Sequence, residues 1–208
     1  MRAICRVLFC AFLLCGLSIA AAVDEADRAY EIGDFEKAAT LYKKLCDAKD
    51  GRSCSSLGYM YDFGEGFREN KTKAVKLYKK ACDLKSPLGC FNLGVMYSDG
   101  LGVEQNHTKA AGLYKMACDN DEVAACTNLG YMYDKAIGVK QDYKKAMSLY
   151  AKACKMEDGI GCNNVGNLYE DGKGVKKDDK TALKYYKKAC EFDDKEGCEN
   201  YKALGELQ

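Results

Sequence analysis

The chain has 208 residues, and its 32 lysine and arginine residues are almost balanced by 31 aspartate and glutamate residues. Proteins that bind nucleic acid or anionic membranes concentrate positive charge, and this chain has no such basic surplus. We therefore expect neither kind of partner.

The first 22 residues have the composition of a secretory signal peptide. Two arginines precede an apolar run over residues 7–17, and the alanines at 20–22 provide a small-residue cleavage site. The alternative is a membrane anchor, but the run is shorter than the roughly 20 apolar residues that a spanning helix needs. The sequence predicts cleavage before Val23 and a secreted or periplasmic protein without membrane attachment.

The cysteines after the predicted cleavage site recur with strict spacing. Ten remain, and they form five pairs, eight residues apart, that repeat every 36 residues. An even number of cysteines in an exported chain is typical of a disulfide framework. The pairs are Cys46/Cys54, Cys82/Cys90, Cys118/Cys126, Cys154/Cys162 and Cys190/Cys198.

The residues around the cysteines repeat with the same period. "FNLGVMYSDGLG" follows Cys90 and "TNLGYMYDKAIG" follows Cys126, while "KAVKLYKKAC" ends at Cys82 and "KAAGLYKMAC" ends at Cys118. A period of this length is typical of a solenoid of supersecondary units.

Each unit contains two amphipathic helical patterns. Apolar residues have i, i+3, i+4 spacing over residues 93–97 and again over residues 110–117. The glycine-rich segment between them favours turns, and the first unit has the tighter "EIGDFEKA" at 31–38 instead. Because no alternating strand pattern occurs, we predict an all-α fold of paired antiparallel helices.

The 36-residue unit resembles the Sel1-like repeat, a relative of the tetratricopeptide repeat. The resemblance rests on "NLGVMYSDGLGV" and "KAAGLYKMAC" and their copies, while "GDFEKA" in the first unit is closer to the tetratricopeptide form. With a cysteine pair per repeat, the chain also resembles the Helicobacter cysteine-rich protein family. The resemblance implies a right-handed α/α solenoid. We place its first, tetratricopeptide-like repeat at 23–48, Sel1-like repeats at 49–84, 85–120, 121–156 and 157–192, and a C-terminal cap at 193–208.

Repeat symmetry and proximity select one disulfide pairing, in which each cysteine bonds to the one eight residues away. "DLKSPLG", with Pro87, is predicted to be the turn that brings Cys82 and Cys90 together. Structural zinc sites space paired cysteines by two to four residues and need further ligands, and His107 is the one histidine. No C-x-x-C motif is present. We therefore expect disulfides, no metal and no cofactor.

No catalytic residue can be named from the sequence. His107 is predicted to lie in a polar inter-helix loop, where a solvated role is the ordinary one. The Helicobacter cysteine-rich family has members described as penicillin-binding and as weak β-lactamases, and this resemblance implies β-lactam hydrolysis as an alternative function. However, the serine-enzyme motifs S-x-x-K, S-D-N and K-T-G are absent, and a zinc enzyme needs several histidines.

Two sets of equivalent positions are candidates for a binding surface. In helical-repeat solenoids the first helix of each unit lines the concave side, and an asparagine amide can both donate to and accept from a peptide backbone. We predict that a peptide or protein partner, of cell-wall or host origin, binds a monomeric chain here. The alternative is that the asparagines only bond neighbouring helices. The Cys+2 column, two residues after the second cysteine, is Ser56, Asn92, Asn128 and Asn164, and the Cys+5 column is Tyr59, Val95, Tyr131 and Asn167.

Two segments match the N-x-S/T glycosylation pattern, "NKT" at 70–72 and "NHT" at 106–108. Only the second has an acidic residue, Glu104, two positions before the asparagine. The resulting pattern resembles an extended bacterial acceptor sequence. Asn106 is therefore a predicted glycosylation site.

Overall fold

A computed structural model describes residues 19–206, and within this range the chain forms helices and no strand. The predicted all-α helix-pair fold is confirmed. Residues 1–18 of the predicted signal peptide lie outside the described range, and residues 19–22 belong to the first helix. The helices are α1 (described over 19–31), α2 (Phe35–Asp47), α3 (Gly51–Phe63), α4 (Lys71–Asp83), α5 (Pro87–Asp99), α6 (His107–Asp119), α7 (Val123–Lys135), α8 (Tyr143–Lys155), α9 (Gly159–Asp171), α10 (Asp179–Glu191) and α11 (Lys195–Gly205).

The described chain divides into two compact units. Unit 1 contains residues 19–92 and 101–103, and unit 2 contains residues 93–100 and 104–206. The core of unit 1 is built from α1 to α4 around small and apolar side chains such as Ala26, Ala38 and Met60. In unit 2, Val165 and Leu168 of α9 pack with Ala146 of α8.

A disulfide joins the second helix of each pair to the next helix in the chain. The Cα atoms of the bonded cysteines are 4.4–4.7 Å apart, which is within the range that a disulfide spans. The bonded pairs are Cys46–Cys54, Cys82–Cys90, Cys118–Cys126, Cys154–Cys162 and Cys190–Cys198.

The turn inside each disulfide is shorter than the sequence predicts. Lys85 has a φ of 67° and reverses the chain, and residues at the same position of the other turns also have positive φ values. Pro87 is the first residue of α5 rather than part of the turn. The first helical position suits proline, because its missing N–H would have no intrahelical acceptor there.

Tyrosines in the second helices pack against glycines in the first helices. Tyr78 and Tyr186 are fully buried, and a β-carbon at Gly58 or Gly166 would lie 2.8 Å or 2.4 Å from the respective ring. The same relationship links Gly94 with Tyr114. The glycine of the "LG" motif therefore allows close packing of the two helices, as the predicted packing role of the tyrosines requires.

Candidate functional site

The four residues of the Cys+2 column lie on α3, α5, α7 and α9, and all are partly exposed. One turn further along, Tyr59 and Tyr131 of the Cys+5 column are 40% and 49% exposed, while Val95 and Asn167 are partly buried. Both columns are therefore accessible to a partner.

Some amides of the Cys+2 column already bond a neighbouring helix. In unit 1, Asn92 Nδ2 donates to Ser55 Oγ at 3.4 Å. In unit 2, Asn128 is hydrogen-bonded to Tyr114. Asn200 of α11 stands two residues after Cys198 and donates to Asn163 Oδ1 at 2.9 Å. The column thus continues to Asn200, which was not among the predicted positions although it lies 36 residues after Asn164.

Unit 1 contains a cavity of about 330 Å³ that three of the predicted column residues line. Tyrosine rings and Leu88 make most of its wall apolar, and the Tyr42 hydroxyl donates to Asp27 Oδ1 at 2.7 Å. Burial and this carboxylate raise the pKa of Tyr42, so the phenol stays neutral. The lining residues are Tyr30, Tyr42, Ser55, Ser56, Tyr59, Leu88 and Asn92.

Unit 2 contains a second cavity, of about 320 Å³, with a charged wall. Lys135 pairs with Asp134 at 2.9 Å, and Lys173 pairs with Asp171 at 2.7 Å. The lining residues are Tyr131, Asp134, Lys135, Tyr150, Asn164, Asn167, Leu168, Glu170, Asp171, Lys173 and Glu196.

A third cavity, of about 460 Å³ and also in unit 2, includes Asn128 in its wall. Glu122, Thr127 and Asp158 supply other polar groups, and Thr127 Oγ1 donates to the Asp158 carboxylate. Of the eight predicted binding residues, only Val95 lines none of these three cavities.

The hydroxyls of the buried tyrosines differ in their partners. Tyr78 donates to Asp62 Oδ2 at 3.2 Å, and Tyr186 donates to Asn167 Oδ1 at 2.8 Å and to the Glu170 carboxylate. The Tyr150 side chain is 1% exposed, and its hydroxyl has no hydrogen-bond partner in the described part of the chain. Tyr150 and Tyr78 are at equivalent positions of the 36-residue repeat and each follows a leucine, so the tyrosine positions alone do not predict this difference.

The predicted glycosylation site, Asn106, has a structural role at the start of α6. Its Oδ1 accepts from the Lys109 backbone N–H at 2.9 Å, which caps the helix. Thr108 Oγ1 donates to the Gly138 carbonyl at 3.0 Å. Both polar residues of the N-x-T pattern therefore stabilise the fold.

His107 is the first residue of α6 and not part of a solvated loop, so that prediction was wrong. The backbone of Gly138 packs closely against it, because a β-carbon at this glycine would lie 2.4 Å from the His107 carbonyl carbon. Its Nδ1 is buried.

A metal-dependent or acyl-enzyme reaction would need particular side chains close together. Across residues 19–206, no three His, Cys, Asp or Glu side chains are placed to hold a metal ion. No lysine or histidine is among the residues that line the unit 1 cavity beside Ser55 and Ser56. In the same range, no helix has the length and apolar character needed to cross a bilayer.

The chain is similar to several known proteins over most of its length. A Sel1 repeat protein from Oxalobacter formigenes has 32% sequence identity and a TM-score of 0.79, over 84% of this chain and 71% of that one. Cysteine rich protein B of Helicobacter pylori has 32% identity and a TM-score of 0.52, over 62% of this chain and 92% of that one.

A curated relative covers a shorter segment. "Putative beta-lactamase HcpD" of Helicobacter pylori is 44% identical over 48 residues, which are 23% of this chain and 16% of that protein. This chain therefore matches only a small part of that relative.

The chain also matches a repeat family. The profile of the Sel1 repeat matches residues 29–50, 51–86, 87–122, 123–158 and 159–191. These five consecutive matches account for most of the chain and agree with the helix pairs and disulfides described above. The chain therefore belongs to the Sel1 repeat family.

Proposed function

We propose that this chain is a binding protein that holds an extended peptide, or an extended segment of a protein, through its Cys+2 and Cys+5 columns. The main support is that seven of the eight column residues line cavities. Ligand sites in proteins are usually concave surfaces with a few convergent polar groups. Each cavity has this character within its own unit.

The asparagine amides and the side chains around them would have separate roles. Asparagine amides can pair with the N–H and C=O groups of any extended backbone, so they support binding without reading the sequence of the peptide. The residues around them differ between cavities, and these differences would select side chains. In unit 1, Tyr59 and Leu88 offer apolar surface to an apolar side chain.

The proposal includes export to an oxidising compartment. Five disulfides in a chain of this size are typical of secreted and periplasmic proteins and rare in the cytosol. The partner would then be a cell-wall or host peptide, bound by a monomer.

Substitution of the column amides tests the proposal. We expect the triple variant Asn92→Ala, Asn128→Ala, Asn164→Ala to bind captured library peptides at least about tenfold more weakly than the wild type, because three hydrogen-bonding groups are lost. Asn120→Ala is the matched control, since Asn120 is exposed and lines none of the cavities. Circular dichroism monitors helicity, because Asn92 also bonds Ser55. Unchanged affinity in a folded triple variant would contradict the proposal.

β-Lactam hydrolysis is the alternative, and its support is the name of a relative that matches 23% of this chain. An acyl-enzyme mechanism needs a serine activated by an adjacent base, and the serines in the unit 1 cavity have no lysine or histidine among the residues lining it. Incubation with a chromogenic β-lactam separates the two functions, since turnover is expected only for the enzyme.

A further inference from the structure

The cavity of about 320 Å³ that Tyr150 lines, which we call the unit 2 cavity, has more acidic than basic groups in its wall. Its two lysines are paired with Asp134 and Asp171. The other two carboxylates, Glu170 and Glu196, form no ion pair within residues 19–206. Glu170 accepts a hydrogen bond from the neutral Tyr186 hydroxyl, which leaves its negative charge uncompensated.

An unpartnered hydroxyl in the same wall is an independent sign of a missing ligand. Tyr150 OH is buried and has no hydrogen-bond partner among the described residues. Its equivalent in unit 1, Tyr78, donates to Asp62. Asp134 occupies the position of Asp62 and is paired with Lys135, as Asp62 is with Lys71, but it accepts no hydrogen bond from Tyr150. Buried polar atoms are nearly always hydrogen-bonded, so an unpaired one beside a cavity indicates a site for another polar group.

Most of the remaining groups in the wall can accept a hydrogen bond. Asn164 and Asn167 contribute amide groups to the lining, although Asn167 Oδ1 already accepts from Tyr186, and a neutral phenol oxygen can accept from a donor. Tyr131 is 49% exposed, and Lys135 Nζ already lies 5.9 Å from the centroid of its ring. Aromatic faces attract cations at such distances. The ammonium group of Lys135 itself therefore already lies beside an aromatic ring of this wall.

We propose that the unit 2 cavity binds a primary ammonium group, with Glu170 and Glu196 as its counter-ions and Tyr150 OH as an acceptor of one of its N–H groups. An ammonium has three donors and no acceptor, which matches this wall. A divalent metal fits less well, because no three acidic side chains in the described range are placed around one point. The excess of carboxylates disfavours an anion. The inference rests on the proposed function, because the ammonium would belong to the bound peptide, as a lysine side chain or an amino terminus.

Three peptides separate these sources. The first is an alanine-rich peptide with blocked ends and one central lysine, the second has Nε-acetyl-lysine in its place, and the third has no lysine but a free amino terminus. Each is titrated into the ¹⁵N-labelled, oxidised full chain, and the amide shifts of Asn164, Asn167 and Glu170 are followed. We expect saturable shifts with the lysine peptide and binding about tenfold weaker with the acetylated one, since a charge-assisted hydrogen bond is lost. Saturation with the third peptide alone would assign the site to an amino terminus.

Variants test the assigned groups. Glu170→Gln with Glu196→Gln removes both counter-ions and is expected to weaken binding of the lysine peptide about tenfold. Tyr150→Phe is expected to weaken binding without lowering Tm, because its hydroxyl bonds no protein atom in the described range. Tyr78→Phe is the matched control, since it removes the bond to Asp62 in unit 1 and is expected to lower Tm while leaving ammonium binding unchanged.

Two results would overturn the inference: saturable binding of the acetyl-lysine peptide that equals the binding of the lysine peptide, or no shift at the three amides with any of the peptides. Neither result would affect capture of lysine-free library peptides by the asparagine column, so the proposed function would survive. If capture of the library peptides were lost while the lysine peptide still bound, the proposed function would be wrong and the ammonium site would remain supported.

Discussion

Gly166 faces the ring of Tyr186 so closely that a β-carbon at this glycine would be 2.4 Å from Tyr186 Cε1. The ring cannot move easily, because Tyr186 is fully buried and its hydroxyl is bonded to Asn167 and Glu170. We expect Gly166→Ala to lower the free energy of unfolding by about 1–3 kcal/mol, the usual cost of overpacking.

Gly112 provides the matched control for this prediction, which chemical denaturation can measure. It is an exposed helical glycine whose added β-carbon would meet no atom within 4 Å. Gly112→Ala is therefore expected to raise stability by about 0.5–1 kcal/mol, since alanine favours the helix. If Gly166→Ala were equally stabilising, the packing explanation would be wrong.

The Tyr–Gly contacts show which parts of the fold can be predicted from sequence. Tyrosine and glycine recur every 36 residues, so period and helical spacing together indicate that they pack. The start of α5 at Pro87 was not predicted, because proline is compatible both with a turn and with the first position of a helix.

The cavities could be predicted only in part. The offset from each cysteine correctly groups Asn92 and Asn164 as equivalent positions, and both line cavities, but the sequence does not reveal that the Tyr150 hydroxyl has no partner among the described residues. A lysine pair alone does not explain this, because Asp62 is paired with Lys71 and still accepts from Tyr78. The outcome depends on the exact placement of the side chains, which neither composition nor periodicity determines.

The residue that caps the C-terminus of α7 has a strained backbone conformation, and a glycine in its place would remove the strain. Ala136 has a φ of 58°, whereas α3 and α9 end at Gly64 and Gly172 in the same left-handed conformation. We expect Ala136→Gly to stabilise the protein by about 1 kcal/mol, because the steric cost of a β-carbon at positive φ is removed. Thermal unfolding measures the change. Gly172→Ala is the reciprocal variant and should lower Tm, and a fall in Tm for Ala136→Gly would argue against strain at this position.

The disulfides are expected to provide much of the stability of the chain. In the loop-entropy description, a loop of about nine residues contributes about 2.6 kcal/mol, while a whole domain has about 5–15 kcal/mol. Excess thiol reductant should therefore lower Tm sharply. A melting curve that is unchanged after complete reduction, with free thiols counted to verify it, would show that helix packing alone maintains the fold.

Glu122 is expected to make stability depend on pH. It is the N-cap of α7 but forms no side-chain capping bond, and burial raises its pKa. The folded protein therefore holds the Glu122 proton more tightly than the unfolded chain, whose glutamates titrate near pH 4.3 as a rough average. Its contribution to stability is present at acidic pH and is lost as the pH rises through the folded-state pKa. Relative to the wild type, Glu122→Gln should thus gain stability between roughly pH 4 and pH 7. Denaturation across this range measures the difference, with the exposed Glu104→Gln as the matched control. A difference between Glu122→Gln and the wild type that does not vary with pH would show that burial of this carboxyl has no energetic consequence.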